Sequence, residues 1–270
     1  MRNKFTSILT TILLMMGTIS AISVNAAETI RNEDGTCTIT TDKFTYTSSP
    51  FRLESELCDA DFMVVGIRHT ESILGYDEYY ISPIRKPGYF FGYGAGILVP
   101  DVVTEDLGGM KLQVGDLLKF EGGISATESY VPYFAPHSIS DSEPAKAVYL
   151  GNGIDLFGED FSEVIRRQCI FEQALNMQQA IRYQSTIVDV DWGGYTVNWG
   201  DVNLDDELDI LDCISVNKYL LGSSHFCFYT KEIADVNMDG KLDSTDSLAI
   251  LKEVVGLTKD YQPVGEQTAE

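Results

Sequence analysis

Positive charge is scarce in this chain. Its 19 Lys and Arg stand against 41 Asp and Glu, a formal net charge of −22. A surface of that sign repels phosphate backbones and anionic lipid, which argues against nucleic acid or a membrane surface as partner. Histidine is nearly absent, with only His69, His137 and His225. His137, in a loop-like Phe134-Ala135-Pro136-His137-Ser138 stretch, is the best placed of them for acid–base work. The five cysteines (Cys37, Cys58, Cys169, Cys213, Cys227) form no CxxC or Cys/His group, so a zinc centre has no support. There is no Gly-x-Ser-x-Gly for a nucleophile elbow. The Gly92-Tyr93-Gly94-Ala95-Gly96 run lacks the Gly-Lys-Ser/Thr ending of a phosphate loop and reads as a bulged strand. No apolar run beyond residue 22 is long enough to span a bilayer.

The first 26 residues are expected to be a secretory signal: Arg2 and Lys4 precede an apolar run at 8–22, and Val24 and Ala26 form a small-residue cleavage site. A retained anchor is the alternative. Without Arg2 and Lys4 the net charge becomes −24. Export permits disulfides, and Cys37–Cys58 and Cys213–Cys227 are pairs by proximity, while a reducing habitat would leave all five as thiols.

Residues 28–198 read as a mainly β module. Candidate strands lie at 36–41, 43–47, 62–68, 79–84, 89–98, 116–120, 146–150, 186–190 and 195–198, with turn residues between them. Five strands between 62 and 150 have the spacing of a small five-stranded OB-like barrel. Val114-Gly115-Asp116-Leu117-Leu118-Lys119-Phe120, Glu128-Ser129-Tyr130 and Ala145-Lys146-Ala147-Val148 resemble small OB-type barrels of secreted Gram-positive proteins, which implies a fold and no activity. One helix is expected, capped at Asp160 with Glu163 at capping-box spacing. Phe161, Val164, Ile165, Phe171, Ala174, Leu175 and Ile181 recur at three and four, a core-facing stripe that would cover one end of the barrel. Acids abound (Asp77, Glu78, Glu128, Asp155, Glu159, Asp160), but no pair is marked out for glycosidic chemistry. Aromatic residues crowd 76–134. Half must point inward, and Tyr76, Tyr79, Tyr130 and Tyr133, near turns, are the candidates for outward rings that stack on sugar. The connector Trp192-Gly193-Gly194-Tyr195-Thr196-Val197-Asn198-Trp199 has no Pro/Ser/Thr tract, so the two parts of the chain should sit close, with Trp199 against the second.

The C-terminal stretch is organised as a repeat. Residues 201–222 laid over 235–256 are identical at nine of 22 positions, an offset of 34. Oxygen side chains recur at loop positions 1, 3, 5, 9 and 12: Asp201, Asn203, Asp205, Asp209, Asp212, then Asp235, Asn237, Asp239, Asp243, Asp246. A hard cation takes six to eight oxygens, and a 12-residue loop can wrap them round Ca²⁺, so two structural calcium ions are expected. Position 7 supplies a backbone carbonyl, which frees its side chain to be Glu207 in one copy and Lys241 in the other. Position 6 must turn sharply, as Gly240 can and Asp206 can at some cost. Leu208 and Leu242 should point inward. An acidic solvated face is the alternative, but it gives no reason for the repeated spacing. A helix should follow each loop, over 212–221 and 246–255, each stopped by glycine (Gly222, Gly256). No helix is expected to enter either loop, which makes these half EF-hands.

Gly200-Asp201-Val202-Asn203, Ala234-Asp235-Val236-Asn237 and Lys218-Tyr219-Leu220-Leu221 resemble a type I dockerin, an all-α module here at 199–263. The resemblance implies calcium-dependent binding to a cohesin module of a scaffoldin, as in extracellular cellulosomes. It places the partner contact at loop positions 10 and 11 (Ile210 and Leu211; Ser244 and Thr245) and on the helices (Asn217 and Lys218; Leu251 and Lys252). The two copies differ there, so one binding orientation should be preferred. The chain then reads as a secreted, dockerin-bearing component of a polysaccharide-degrading complex. Its N-terminal module is accessory, with polysaccharide as a further candidate partner; a dockerin-borne glycoside hydrolase is the alternative. The tail at 264–270 should be disordered.

Overall fold

A computed structural model describes residues 27–33, 36–48, 51–69, 77–84, 96–98, 107–121, 125–127, 133–135, 146–182 and 189–257. The expected signal segment, Tyr76, Tyr130, Glu128, His137 and the tail lie outside the described residues.

Two sheets form the N-terminal part. Strands β1 (Glu28–Arg31), β2 (Cys37–Thr40), β3 (Thr45–Ser48) and β4 (Phe51–Glu54) make an antiparallel meander in that order. The second sheet contains β5 (Phe62–His69), β6 (Asp77–Pro83), β7 (Gly96–Leu98), β8 (Asp116–Glu121), β9 (Ser125–Thr127), β10 (Tyr133–Ala135) and β11 (Lys146–Asn152). Its order is β11-β8-β5-β6-β7-β10-β9, antiparallel except for β7 with β10. The described strands form an open sheet, with β11 and β9 at its edges, so the expected closed OB-like barrel is corrected. The reason lies in what covers the sheet. The interior of a small barrel is filled by its own side chains, whereas here a long helix lies on one face and brings Cys169 Sγ to donate to the Val65 carbonyl at 3.2 Å.

Both faces of this sheet are buried along β5, β6 and β8. Met63, Val65, Tyr80 and Leu117 join the core shared with the meander and the helix, while Val64, Tyr79, Ile81, Leu118 and Phe120 pack on the opposite face with Leu112. The period-2 pattern of a strand thus serves two apolar layers, which is why 62–68 reads as a continuous hydrophobic run. The expected strand at 195–198 has no strand pairing, and β1, β4, β9 and β10 were not anticipated.

Helix α1 (Gly153–Phe157) leads into α2 (Phe161–Arg182). The expected apolar stripe of α2 is buried except at Ile181, which is half-buried, and Arg167, Gln168, Glu172 and Gln178 on its other sides are buried too. A helix buried nearly all round lies inside a structure rather than capping its end. Glu163, expected to cap, instead accepts from Arg166 Nε at 2.6 Å and from Arg167 Nε at 2.6 Å. Gly153 admits α1 against α2: a Cβ there would lie 2.1 Å from the Phe161 ring. Gly153→Ala is therefore expected to cost about 1–3 kcal/mol through overpacking. The urea midpoint should fall without a change in slope.

The connector is pinned. Ile67 and Asp191 exchange both backbone hydrogen bonds at 2.8 Å, and the Trp192 ring lies 5.4 Å from that of Tyr80. Gly66 makes room for this, since a Cβ there would meet Val190 at 2.8 Å and Trp192 at 2.9 Å. Val197 N–H donates to Gln173 Oε1 on α2 at 2.9 Å, and Trp199 packs on the cores of both parts, as its place in the sequence suggests.

Three helices follow: α3 (Ile210–Leu220), α4 (Phe228–Ala234) and α5 (Ser244–Val254), with no strand among residues 199–257. The five cysteines are buried free thiols, so neither proximity pair is joined. Cys213 Sγ lies 3.5 Å from Ser247 Oγ between α3 and α5, whereas Cys227 caps α4 and belongs to the N-terminal core.

Candidate functional site

The two acidic loops fold alike. Helix α3 begins at Ile210 and α5 at Ser244, two residues earlier than the sequence suggests, because loop position 9 acts as N-cap. Asp209 accepts from Leu211 N–H and Asp212 from Asp209 N–H, a reciprocal box repeated by Asp243 and Asp246. Asn203 Oδ1 accepts from Asp205 N–H at 2.9 Å and Asp205 Oδ1 from Glu207 N–H at 3.1 Å; Asn237 and Asp239 do the same in the second loop. These bonds curl each loop around its acidic side chains. Leu208 and Leu242 pack inward on the core between the repeats, as expected. Gly222 and Gly256 end α3 and α5 with φ of 70° and 68°.

Asp206 and Gly240 take the left-handed backbone expected at position 6, with φ of 70° and 85°. Position 4 does so too, at Leu204 (55°) and Met238 (58°). An apolar residue gives no sequence signal for that strained conformation. Both are buried, so tertiary packing of their side chains outweighs the local cost. A second correction concerns α4: a seven-residue helix does enter the second loop, ending at Ala234 beside Asp235.

Equivalent positions of the repeat meet in the core between α3 and α5. Val202 with Val236 and Val216 with Ile250 share one apolar cluster, and Cys213 Sγ contacts Ser247 thirty-four residues on. This is the packing that a tandem duplication produces when its copies lie back to back.

The electrostatics of the loops favour a cation. Asp201, 1% exposed, has its pKa raised to about 6 by burial and then by the Asp212 carboxylate. Asp235, 2% exposed, is raised to about 6 by burial and then by Asp246. Both pairs hold negative charges close together away from water. Asp235 Oδ1 is buried with no hydrogen-bond partner, while Oδ2 accepts from Gly240 N–H at 2.9 Å. An orphaned carboxylate oxygen at loop position 1, in an all-oxygen donor set, fits Ca²⁺. Among the described residues no three His, Cys, Asp or Glu groups converge as a ready-made metal cluster, so closing round an ion would draw in the Asn203, Asn237 and position-7 carbonyl donors.

The residues expected to meet a partner separate into two groups. Ile210 and Leu211 are 46% and 53% exposed. Ser244, Thr245, Asn217, Lys218 and Lys252 are exposed as well, whereas Leu251 packs partly into the inter-repeat core. Tyr79 was expected to face outward; it is 4% exposed within the second apolar layer, because its strand is covered on both faces. Tyr133 lies on β10, opposite Ile97 and Thr127. Asp77 and Glu78 are spoken for by His69 and Arg68, at 3.0 and 2.9 Å.

Sequence reading missed the contacts that α2 makes with both loops. Arg166 donates to the Leu204 carbonyl at 2.9 Å and to Asp206 at 2.8 Å. Sixteen residues on, Arg182 pairs with Glu232 at 2.7 Å and lies 3.7 Å from Asp235. Gln178 Nε2 donates to the carbonyls of Glu232 and Asp235 at 3.0 and 2.9 Å. Arg31, from β1, reaches Asp205 at 3.5 Å. An arginine on a helix far upstream carries no mark of the loop it will meet.

Back-to-back oxygen-lined loops, each feeding a helix, define a tandem loop–helix module. Residues 199–255 match the family model of the dockerin type I domain, and this stretch of the chain is such a domain. Type I dockerin domains bind calcium and pair with cohesin modules. No curated protein and no solved structure matches the chain. Among the described residues, no helix is long and apolar enough to cross a membrane.

Proposed function

We propose that the chain is an exported accessory component of a polysaccharide-degrading complex, held there by calcium-dependent binding of its dockerin to a cohesin. Two calcium ions would occupy the loops, held by Asp201, Asn203, Asp205, Asp209, Asp212 and the Glu207 carbonyl in one, and by Asp235, Asn237, Asp239, Asp243, Asp246 and the Lys241 carbonyl in the other. The observation that carries the docking assignment is the exposure of Ile210 and Leu211 at the start of α3; Ile214 on the same helix and Leu248 on α5 are also exposed, at 42% and 50%. Large apolar side chains left open to water are what a protein partner covers. Ser244 and Thr245 occupy the equivalent place in the second copy, so the first copy supplies the anchor and one orientation is preferred.

The test is calorimetric titration of the full chain against a panel of cohesin modules, with calcium and with chelator. A tight match in calcium alone is expected. Joint Ile210→Asp and Leu211→Asp substitution should weaken it at least 100-fold, while the Ser244→Asp change has a smaller effect. Binding that survives the first pair would reject the proposed anchor. Release of soluble sugar from a glycan by the full chain would replace the accessory reading with an enzymatic one.

A further inference from the structure

Between the first sheet and the dockerin lies a cavity of about 330 Å³, built from both halves of the chain. That volume is at the small end for a ligand site, and junctions between modules are where such sites form. Its charge is reversed relative to the rest of the protein. The chain has 41 acids to 19 bases, yet among the described lining residues Arg31, Arg167 and Lys218 face one acid, Glu33.

Arg167 is the central feature. Its side chain is 4% exposed, and its hydrogen bond is the one from Nε to Glu163, at 2.6 Å. A guanidinium has five donors, so the terminal nitrogens of Arg167 have no acceptor among the described residues. Glu163 is itself shared with Arg166. Among the described residues Lys218 has no ion pair, and Arg31 has the 3.5 Å contact with Asp205 alone. A second, independent observation lies on the same wall: Ser224 Oγ is buried and has no hydrogen-bond partner. Phe226, stacked on Tyr219 at 4.8 Å, adds an aromatic surface.

We propose that this cavity binds a small hydroxylated carboxylate, of the kind found at the end of an acidic saccharide. The carboxylate takes the free edge of Arg167 together with Lys218 and Arg31, in charge-assisted bonds that a bidentate guanidinium favours. A ligand hydroxyl satisfies Ser224, and the apolar face of the sugar ring lies on Phe226. Because both halves contribute, the bound acid ties the N-terminal sheet to the dockerin. Lys218 is the one group shared with the proposed docking face, so the test contains no cohesin.

The experiment is titration of the calcium-loaded full chain with D-glucuronate, followed by calorimetry and ligand-observed NMR. D-glucose and inorganic phosphate serve as comparison probes. Saturable glucuronate binding is expected, at least tenfold tighter than either comparison. Lys218→Met, at an exposed side chain, and Ser224→Val, with folding checked by circular dichroism, should each weaken it severalfold. No saturable binding to the folded chain would overturn the proposal. So would glucose or phosphate binding as well as glucuronate, or binding that neither variant alters.

Discussion

Replacing Phe171 with Ala is expected to destabilise the whole chain by about 3–5 kcal/mol, the usual cost of removing a buried phenyl ring. Phe171 is 1% exposed, and its ring lies 5.0 Å from that of Tyr229 on α4. The same core holds Tyr46 of the meander, Leu204 of the first loop and Ile233 beside the second. Polar groups lock the junction further: Glu172 accepts from Ser82 Oγ at 2.6 Å and from Tyr229 O–H at 3.3 Å. A cavity there loosens the sheets and the dockerin together. The check is urea unfolding followed both by far-UV circular dichroism and by tryptophan fluorescence. Both probes should shift to the same lower midpoint. Two separated transitions, with the helical signal unmoved, would show that the dockerin is held independently of α2.

Withdrawing calcium should have an effect of similar size. With free calcium about 100-fold above a site's dissociation constant, that site adds about 2.7 kcal/mol to folding. Without the ion, Asp201 with Asp212 and Asp235 with Asp246 face one another as buried like charges. Chelation should therefore lower the melting temperature of the full chain, and calcium should restore it. Asp212→Asn and Asp246→Asn should each remove about half of the calcium response. Because Arg166 and Arg182 tie α2 to the loops, the N-terminal sheets should feel the loss too. A melting curve indifferent to chelator would contradict the calcium assignment.

The dockerin was legible because its information is local. Ligand spacing within 12 residues, the repeat at 34, the inward Leu208 and Leu242 and the stopping glycines all act through near neighbours in the chain. Even there, the left-handed Leu204 and Met238 and the short helix α4 escaped, since each is held by packing on distant partners. The N-terminal part showed its strands but not their closure. Alternating residues mark a strand, yet whether seven strands curl into a barrel or open around a helix depends on what covers each face. The stripe on α2 predicted a helix; that Arg166, Gln178 and Arg182 would meet the loops depended on where the pinned connector delivered the dockerin. Tyr79 was misjudged for the same reason, because exposure is a property of the neighbours that a side chain acquires. Sequence alone therefore determined the oxygen-lined loops, their repeat and their family, through spacing that the chain carries within itself. Only tertiary structure decided the open sheet, the shared core and the cationic cavity, because each requires residues far apart in the chain to bury the same surface.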